Sequence, residues 1–303
     1  MTQTKIFAGS AGKELARQLV KHLGAGAKVE TGLTETFPEG NLFVKTETAV
    51  HHQEVVVVQT IWGEQASNRF LELLFWLDTL KRGDAAKITV IIPFFSYAKA
   101  DKQEETGLTS LRARVCADCL EAAGASRVLM MDLHSPSIPG FFKIPVENLS
   151  AMEVLCDFYH QKDLSNSIVV SPDAGFAKQA RKYAAKLGLP CAIGDKNRPE
   201  LNGDAQILEI IGDVKGKKCL IFDDFTTSAG TLVDVARALE ERGAAEIYAA
   251  VTHAAINEKA LQRIEQSPIK ELVVTNTTEN EVIFSQSKKI TVLDVMKVFA
   301  QNL

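Results

Sequence analysis

Charge of one sign is scarce in this sequence: 34 Lys and Arg residues offset 38 Asp and Glu residues, leaving a net charge of −4 over 303 residues. That balance excludes a global attraction to nucleic acid or to an anionic membrane, so a phosphate ligand has to be held by local features. Long hydrophobic runs are also missing. The most apolar stretch, Ile88 to Tyr97, is too short to span a bilayer and contains Pro93. Met1 to Lys5 lead into a short apolar run with no signal-peptide core. Cysteine is sparse, with five residues scattered in apolar surroundings. Cys116 and Cys119 form a C-x-x-C, but no second cysteine pair and no histidine stands at ligand spacing, which favours small apolar helix residues over a redox or zinc pair. The expectation is a soluble cytoplasmic protein with reduced thiols, whose partners are neither nucleic acid nor membrane.

What is present is globular material, 46% apolar and 24% charged. The length exceeds one ordinary core and fits two domains, with a boundary expected between residues 147 and 148 after the turn-rich Ser135-Pro-Ser-Ile-Pro-Gly140. Glu54 to Gln59, Lys87 to Ile92, Arg127 to Met131, Ile168 to Val170, Cys219 to Phe222 and Ile247 to Val251 read as buried strands. Leu15, Leu19 and Leu23 line one helix face, and Phe70, Leu73, Leu74 and Leu77 line another. Such alternation predicts an α/β fold with mainly parallel sheets. Gly124-Ala-Ser-Arg-Val-Leu-Met-Met-Asp-Leu-His134 is echoed by Gly243-Ala-Ala-Glu-Ile-Tyr-Ala-Ala-Val-Thr-His253, each after an Ala-rich helix, which points to two domains of similar fold.

The chemistry concentrates in Leu220-Ile-Phe-Asp-Asp-Phe-Thr-Thr-Ser-Ala-Gly-Thr-Leu232. An apolar strand ends in two carboxylates, Asp223 and Asp224, and a small, hydroxyl-rich loop opens a helix. Unpaired N–H groups at a helix N-terminus attract phosphate, and small residues allow its close approach. Thr226, Thr227, Ser228 and Thr231 add hydroxyl donors around Ala229 and Gly230. The two carboxylates suit the vicinal hydroxyls of a ribose, met directly or through a metal. The segment reads as a cradle for a ribose bearing a 5-phosphate. Its bland alternative is a Thr/Ser helix cap behind surface acids.

This stretch resembles the PRPP-binding motif of type I phosphoribosyltransferases and of ribose-phosphate pyrophosphokinases (PRPP synthetases). Phe94-Phe-Ser-Tyr-Ala-Lys-Ala-Asp101, Met131-Asp-Leu-His-Ser135, Gly140-Phe-Phe-Lys-Ile-Pro-Val-Glu-Asn-Leu149, Ser171-Pro-Asp-Ala-Gly175, Asp195-Lys-Asn-Arg-Pro199 and Ile211-Gly-Asp-Val214 resemble the second family, in its order and spacing. The resemblance implies two phosphoribosyltransferase-like domains, 1–147 and 148–303, the last helix packing on the first of them, and a homo-oligomer, dimer or hexamer. It implies Mg2+ held by His134 and Asp173, with ATP as co-substrate. It makes Lys196 and Arg198 the catalytic cations and residues 223 to 231 the ribose-phosphate loop. Phe37, Glu39, Asn41, Lys99, Asp101 and His134 then lie on the ATP side, with residues 97 to 110 as a lid.

Several positions depart from the pattern of the resembled family: Lys99-Ala-Asp101 stands for its Arg-Gln-Asp, Asn41 for an acid, Phe176 for a glycine, and Thr227-Ser-Ala-Gly-Thr231 for Asp-Thr-Ala-Gly-Thr in the sugar-phosphate loop. Lys in place of Arg exchanges a bidentate fork for a point charge. The reaction implied is transfer of the β,γ-diphosphate of ATP to the C1 hydroxyl of ribose 5-phosphate, giving PRPP and AMP. ADP-ribose or another 5-substituted ribose phosphate is the alternative acceptor, with Phe176 and Phe225 beside the sugar. A phosphoribosyltransferase and a non-catalytic regulatory homologue are the rival classes.

Overall fold

The computed structural model describes residues 4–24, 26–104, 107–197 and 207–303, and at 196–197 and 207–208 the backbone alone. The chain divides into two compact units. The first comprises Met1–Ser150, Thr277–Glu279 and Val295–Leu303. Its elements run β1 (Lys5–Ala8), α1 (Lys13–Leu23), β2 (Leu33–Thr36), β3 (Leu42–Lys45), β4 (Glu54–Val58), α2 (Ala66–Arg82), β5 (Lys87–Ile92), α3 (Arg112–Ala123), β6 (Arg127–Met131) and β7 (Val146–Leu149). Strands β1, β4, β5, β6 and β7 pair in that order as a parallel sheet, while β2 and β3 form a separate hairpin. Val55–Val58 and Ile88, Val90, Ile91 and Ile92 are buried, the continuous apolar runs that a sheet covered on both faces requires. The apolar stripe of α2 lies one turn later than its sequence predicts. Leu73, Trp76, Leu77 and Leu80 are buried, whereas Phe70 and Leu74 stay half-buried at its margin. Trp76 is needed in the core, where its ring meets Phe7 at 5.6 Å.

The second unit comprises Ala151–Asn276 and Asn280–Asp294. It contains α4 (Met152–His160), β8 (Ser167–Ser171), α5 (Ala177–Leu187), β9 (Cys191–Asn197), β10 (Ile207–Ile211), β11 (Lys218–Thr226), α6 (Gly230–Glu241), β12 (Glu246–Ala254), α7 (Glu258–Glu265), β13 (Glu271–Thr275), α8 (Glu281–Phe284) and β14 (Ile290–Leu293). Its strand order is β10-β9-β8-β11-β12-β13-β14, parallel except for the β9–β10 pair. The chain winds outward from β8 in one direction and from β11 in the other. That makes the β8–β11 junction the switch point at whose carboxyl ends open α/β sheets bind ligands.

The chain then returns to the first unit, ending in α9 (Met296–Ala300), which packs on α1. On the way, Glu279 Oε1 accepts from Leu15 N at 2.8 Å, filling an open donor of the first turn of α1, and Thr60 Oγ1 donates to the Thr277 carbonyl at 2.6 Å. Among the described residues, no helix is long and apolar enough to cross a membrane.

The β1–α1 loop is fixed by a buried carboxylate. Glu72 Oε1 accepts from Ser10 N and Thr34 Oγ1, each at 2.8 Å, and its Oε2 accepts from Gln59 Nε2 at 2.8 Å. Four donors, counting the Ser10 hydroxyl on Oε2, satisfy a group that would otherwise be costly to bury. At the same loop a Cβ on Gly12 would collide with the Val58 carbonyl. Gly12→Ala is therefore expected to destabilise the first unit by about 1–3 kcal/mol. Both tryptophans, Trp62 and Trp76, lie in that unit, so urea unfolding followed by tryptophan fluorescence reads it directly, and an unshifted midpoint would show that the loop relaxes without cost.

Candidate active site

Strand β11 runs on where β8 stops. Pairing with β8 covers Lys218 to Ile221, while pairing with β12 continues to Thr226. The strand expected to end in Asp223 and Asp224 runs on through Phe225 to Thr226, so the first four residues of the segment 223 to 231 are extended sheet. They lie at the carboxyl edge of the switch point, where nothing from β8 covers them. After Thr226 the chain turns through exposed Thr227 and Ser228 to Ala229, whose φ of 58° is left-handed. Ala229 is buried and tolerates this turn with only a methyl to place. Helix α6 then starts at Gly230, two residues earlier than its apolar periodicity indicates.

Asp173 lies at the same edge, just past β8. Its Oδ1 accepts from Phe176 N at 2.9 Å, and its own carbonyl accepts from Ser171 Oγ at 2.7 Å. A Cβ on Gly175 would stand 3.2 Å from Asp173 Oδ1, so a side chain there would crowd the carboxylate. Asp223 Oδ1 accepts from Asp224 N at 3.0 Å, and Asp224 Oδ1 from Phe225 N at 2.9 Å. The Asp223 carboxyl holds its proton well above the usual carboxylate range. Burial is the largest cause, the negative charge of Asp224 comes next, and Asp173 adds to it. Three carboxylates beside a turn of exposed hydroxyls and the N-terminus of α6 offer two kinds of binding at once. The acids suit hydroxyl donors or a hard cation, and the turn suits an anion.

Phe176 replaces a small residue without projecting an isolated ring. It stacks on Tyr183 at 6.4 Å, and Tyr183 stacks on Phe222 at 4.2 Å. Lys196 lies on β9, paired through its backbone with Leu208, and its side chain, like the whole of Arg198, lies outside the described residues.

In the first unit, β5 and β6 are neighbours, and Lys99, Asp101 and His134 all follow their carboxyl ends. Lys99 is exposed at the end of a short 3-10 turn, Ser96–Lys99, so the first part of the expected lid, 97 to 110, is helical. Asp132, with φ 38°, turns the chain beyond β6; its N–H donates to Leu149 O at 2.8 Å and Leu133 N donates to Asn148 Oδ1 at 2.9 Å. These bonds to β7 place His134 on the surface. Its echo, His253, is buried within β12 opposite Phe225: the repeat reproduces a fold unit and not a ligand. Phe37, Glu39 and Asn41 share the tip of the β2–β3 hairpin. Phe37 N donates to Asn41 O at 2.8 Å, Asn41 Nδ2 to Glu39 Oε1 at 3.2 Å, and the exposed Phe37 ring lies 5.5 Å from Phe43. Cys116 is buried in α3, and burial pushes its thiol up to about 12, so Cys116 itself is no reactive thiolate.

Residues 4–124 match the N-terminal domain of ribose phosphate pyrophosphokinase, and residues 196–303 match the phosphoribosyl synthetase-associated domain. The ribose-phosphate pyrophosphokinase of Caldanaerobacter subterraneus subsp. tengcongensis is 40% identical over 97% of this chain and 90% of its own. This chain belongs to the ribose-phosphate pyrophosphokinase family. The homologue of that name from Clostridium perfringens is 41% identical over 90% of this chain and 85% of its own. The crystal structure of phosphoribosylpyrophosphate synthetase from Mycobacterium smegmatis superposes with a TM-score of 0.91 at 34% identity, covering 99% of this chain and 97% of that one.

One pyrophosphokinase residue escapes sequence reasoning altogether. Arg263 Nη1, from α7, donates to the Ser228 carbonyl at 3.0 Å and so ties the turn before α6 to α7. No motif spacing connects residues 35 positions apart; only the packing of α7 beside α6 brings them together.

The crowding at Asp223 has a consequence for stability. Between the ordinary aspartate value, about 3.9, and the raised folded-state value, the folded protein keeps a proton that the unfolded chain has lost. Ligand-free protein therefore loses stability as pH rises through that window. Asp223→Asn is expected to flatten this decline, in urea unfolding followed by circular dichroism from pH 4.5 to 8. Parallel pH profiles for the two proteins would show that the three carboxylates do not repel as described.

Proposed function

We propose that this enzyme transfers the β,γ-diphosphate of ATP to the C1 hydroxyl of ribose 5-phosphate, forming PRPP and releasing AMP. The observation that carries the reading is the meeting of Asp173, Asp223 and Asp224 with the hydroxyl-lined, left-handed turn at the start of α6. It stands in a chain 40% identical over 97% of its length to a ribose-phosphate pyrophosphokinase.

In this reading Asp223 and Asp224 accept hydrogen bonds from the ribose 2- and 3-hydroxyls, which orients the C1 hydroxyl. Thr226, Thr227, Ser228 and Thr231, with the backbone N–H groups at Ala229 and Gly230, take the 5-phosphate, and Arg263 keeps the turn shaped for it. The phosphate is thereby separated from the carboxylates that would repel it. Lys196 and Arg198 place positive charge on the transferring diphosphate, where charge builds up in the transition state. Phe37, Glu39 and Asn41 receive the adenine, while Lys99 and Asp101 border the triphosphate. The oxygen-rich donor set fits a hard divalent cation, and Asp173 would hold Mg2+, with His134 as the family-like ligand on the nucleotide side. When bound, Mg2+ supplies neutralisation of the diphosphate oxygens.

We also place the enzyme in the cytoplasm, in keeping with five free thiols. We infer self-association, supported by Leu33, Phe43, Leu71 and Phe75, which are 42%, 38%, 41% and 36% exposed on the first unit.

Two outcomes are expected. With ATP, Mg2+ and ribose 5-phosphate but no nucleobase, phosphorus NMR should show PRPP and AMP. Lys196→Ala should lower kcat by about 10²-fold or more with the fold intact. Unchanged turnover in that variant would remove Lys196 from the mechanism, and ATP left untouched by wild-type enzyme would favour a transferase or a regulatory homologue.

The acceptor is the second test. Because Phe176 is engaged by Tyr183 rather than presented to a ligand, ribose 5-phosphate should exceed ADP-ribose in kcat/KM by more than about tenfold, the ratio that 1.4 kcal/mol of differential binding produces. A preference for ADP-ribose would show instead that Phe176 and Phe225 form an acceptor platform.

A further inference from the structure

At the opposite edge of the first unit, where β4 and β5 begin, two loops converge. One is the turn leading into β4 and carries His51 and His52; the other joins α2 to β5 and carries Asp84. His51 Nδ1 lies 2.7 Å and His52 Nδ1 3.5 Å from the same oxygen, Asp84 Oδ2. The imidazole rings lie side by side, centroids 3.7 Å apart. One ligand atom from each residue falls within 4.8 Å of the others, the sole such group of three His, Cys, Asp or Glu residues among the described residues.

We propose that His51, His52 and Asp84 form a binding site for a borderline divalent transition-metal cation of the Zn2+ class. Two imidazole nitrogens and one carboxylate oxygen are the donor set of three-ligand zinc sites, with water completing a tetrahedron. Bond lengths of about 2.0–2.2 Å put neighbouring donors of a tetrahedral ion about 3.3 Å apart. The 3.5 Å pair already has that separation. The 2.7 Å pair opens by about half an ångström when the ion replaces the proton shared between His51 and Asp84. The nitrogen donors make this a poor site for Mg2+, which takes oxygen ligands. Its ion is therefore different from the one that accompanies ATP.

The two loops are already held together without metal. His52 N donates to Asp84 O at 2.8 Å, and Ala86 N donates to Gln53 O at 2.9 Å. Gly83 lets Val50 come so close that a Cβ would stand 2.6 Å from Val50 Cγ2. His52 and Asp84 both adopt left-handed backbone, φ 54° and 59°. At such positions glycine would be the easier residue, yet the chain places ligating side chains there. All three side chains are more than half exposed, so the ion can enter from solvent and keep water in its remaining positions. Bound metal would clip the start of β4 to the start of β5 and stabilise the first unit, with no part in the transfer reaction.

The test uses the full chain, stripped of metal and free of nucleotide and phosphate, titrated with ZnCl2 in a calorimeter and with CoCl2 by visible absorption. Wild-type protein should bind one equivalent that is absent, or weakened more than about tenfold, in His52→Gly and Asp84→Asn. Both substitutions suit left-handed backbone, and circular dichroism checks that each variant is folded. Zn2+ should raise the thermal midpoint of wild type and leave that of both variants in place. The Co2+ spectrum should lack the thiolate charge-transfer band that binding at Cys116 and Cys119 would produce. Equal Zn2+ binding by wild type and variants, a thiolate band on that equivalent, or no binding by wild type would each overturn the proposal.

Discussion

The site depends on one mismatch of strand lengths. β11 continues from Phe222 to Thr226 after β8 has ended, held on one side only, by β12. Had the two strands ended together, Asp223 and Asp224 would lie inside the sheet, buried and unpaired, at a cost of several kcal/mol. Extended beyond β8, they gain an open face. Asp223 is still largely withdrawn from water and lies beside the charges of Asp224 and Asp173, and its raised proton affinity expresses burial first and that repulsion second. A cation or a pair of ribose hydroxyls resolves it. The ligand-free site is thus strained in charge, and binding relieves the strain.

The turn that follows has a complementary constraint. Ala229 is left-handed where the chain turns from β11 into α6, and it must be small because it is buried. The Arg263 bond to the Ser228 carbonyl supports that geometry from α7. Acids at the strand edge and N–H groups at the helix start are therefore held a fixed few residues apart. That spacing lets one molecule present hydroxyls to the first and phosphate to the second.

The segment proposed as the cradle stands out in the sequence because its residue types are few and chemically sharp. Paired acids after Leu220-Ile-Phe222, followed by hydroxyls and glycine, narrow the ligand before any fold is known. The extent of β11 was not legible, since consecutive aspartates are poor strand formers and only the ladder to β12 keeps them extended. For the same reason β7, Val146–Leu149, looks like the tail of a turn-rich segment until β6 pairs with it. The matching histidines of the internal echo look equivalent in sequence, yet β12 continues through His253 while β6 stops before His134. Strand ends are decided by partners far away in the chain, and local pattern carries little information about partners. In α2 the misplaced stripe has a different cause: a tryptophan among five leucines leaves two apolar faces on offer, and the ring contact with Phe7 goes with the face that carries Trp76.

The departures from the family pattern sort by what each position touches. Phe176 replaces a glycine but finds Tyr183, so its extra volume is absorbed by an aromatic column that ends in the core at Phe222. Thr227, where the resembled motif carries an acid, stands at an exposed point of the turn before α6, and without that charge it would lower the repulsion that the proposed phosphate meets. Lys99 keeps the positive charge at the end of the 3-10 turn and gives up the planar fork. None of these changes alters a carboxylate at the β8–β11 edge or the left-handed turn at Ala229. Burial, and after it the charges of Asp224 and Asp173, hold the proton on Asp223, and a cation at this edge would offset those charges.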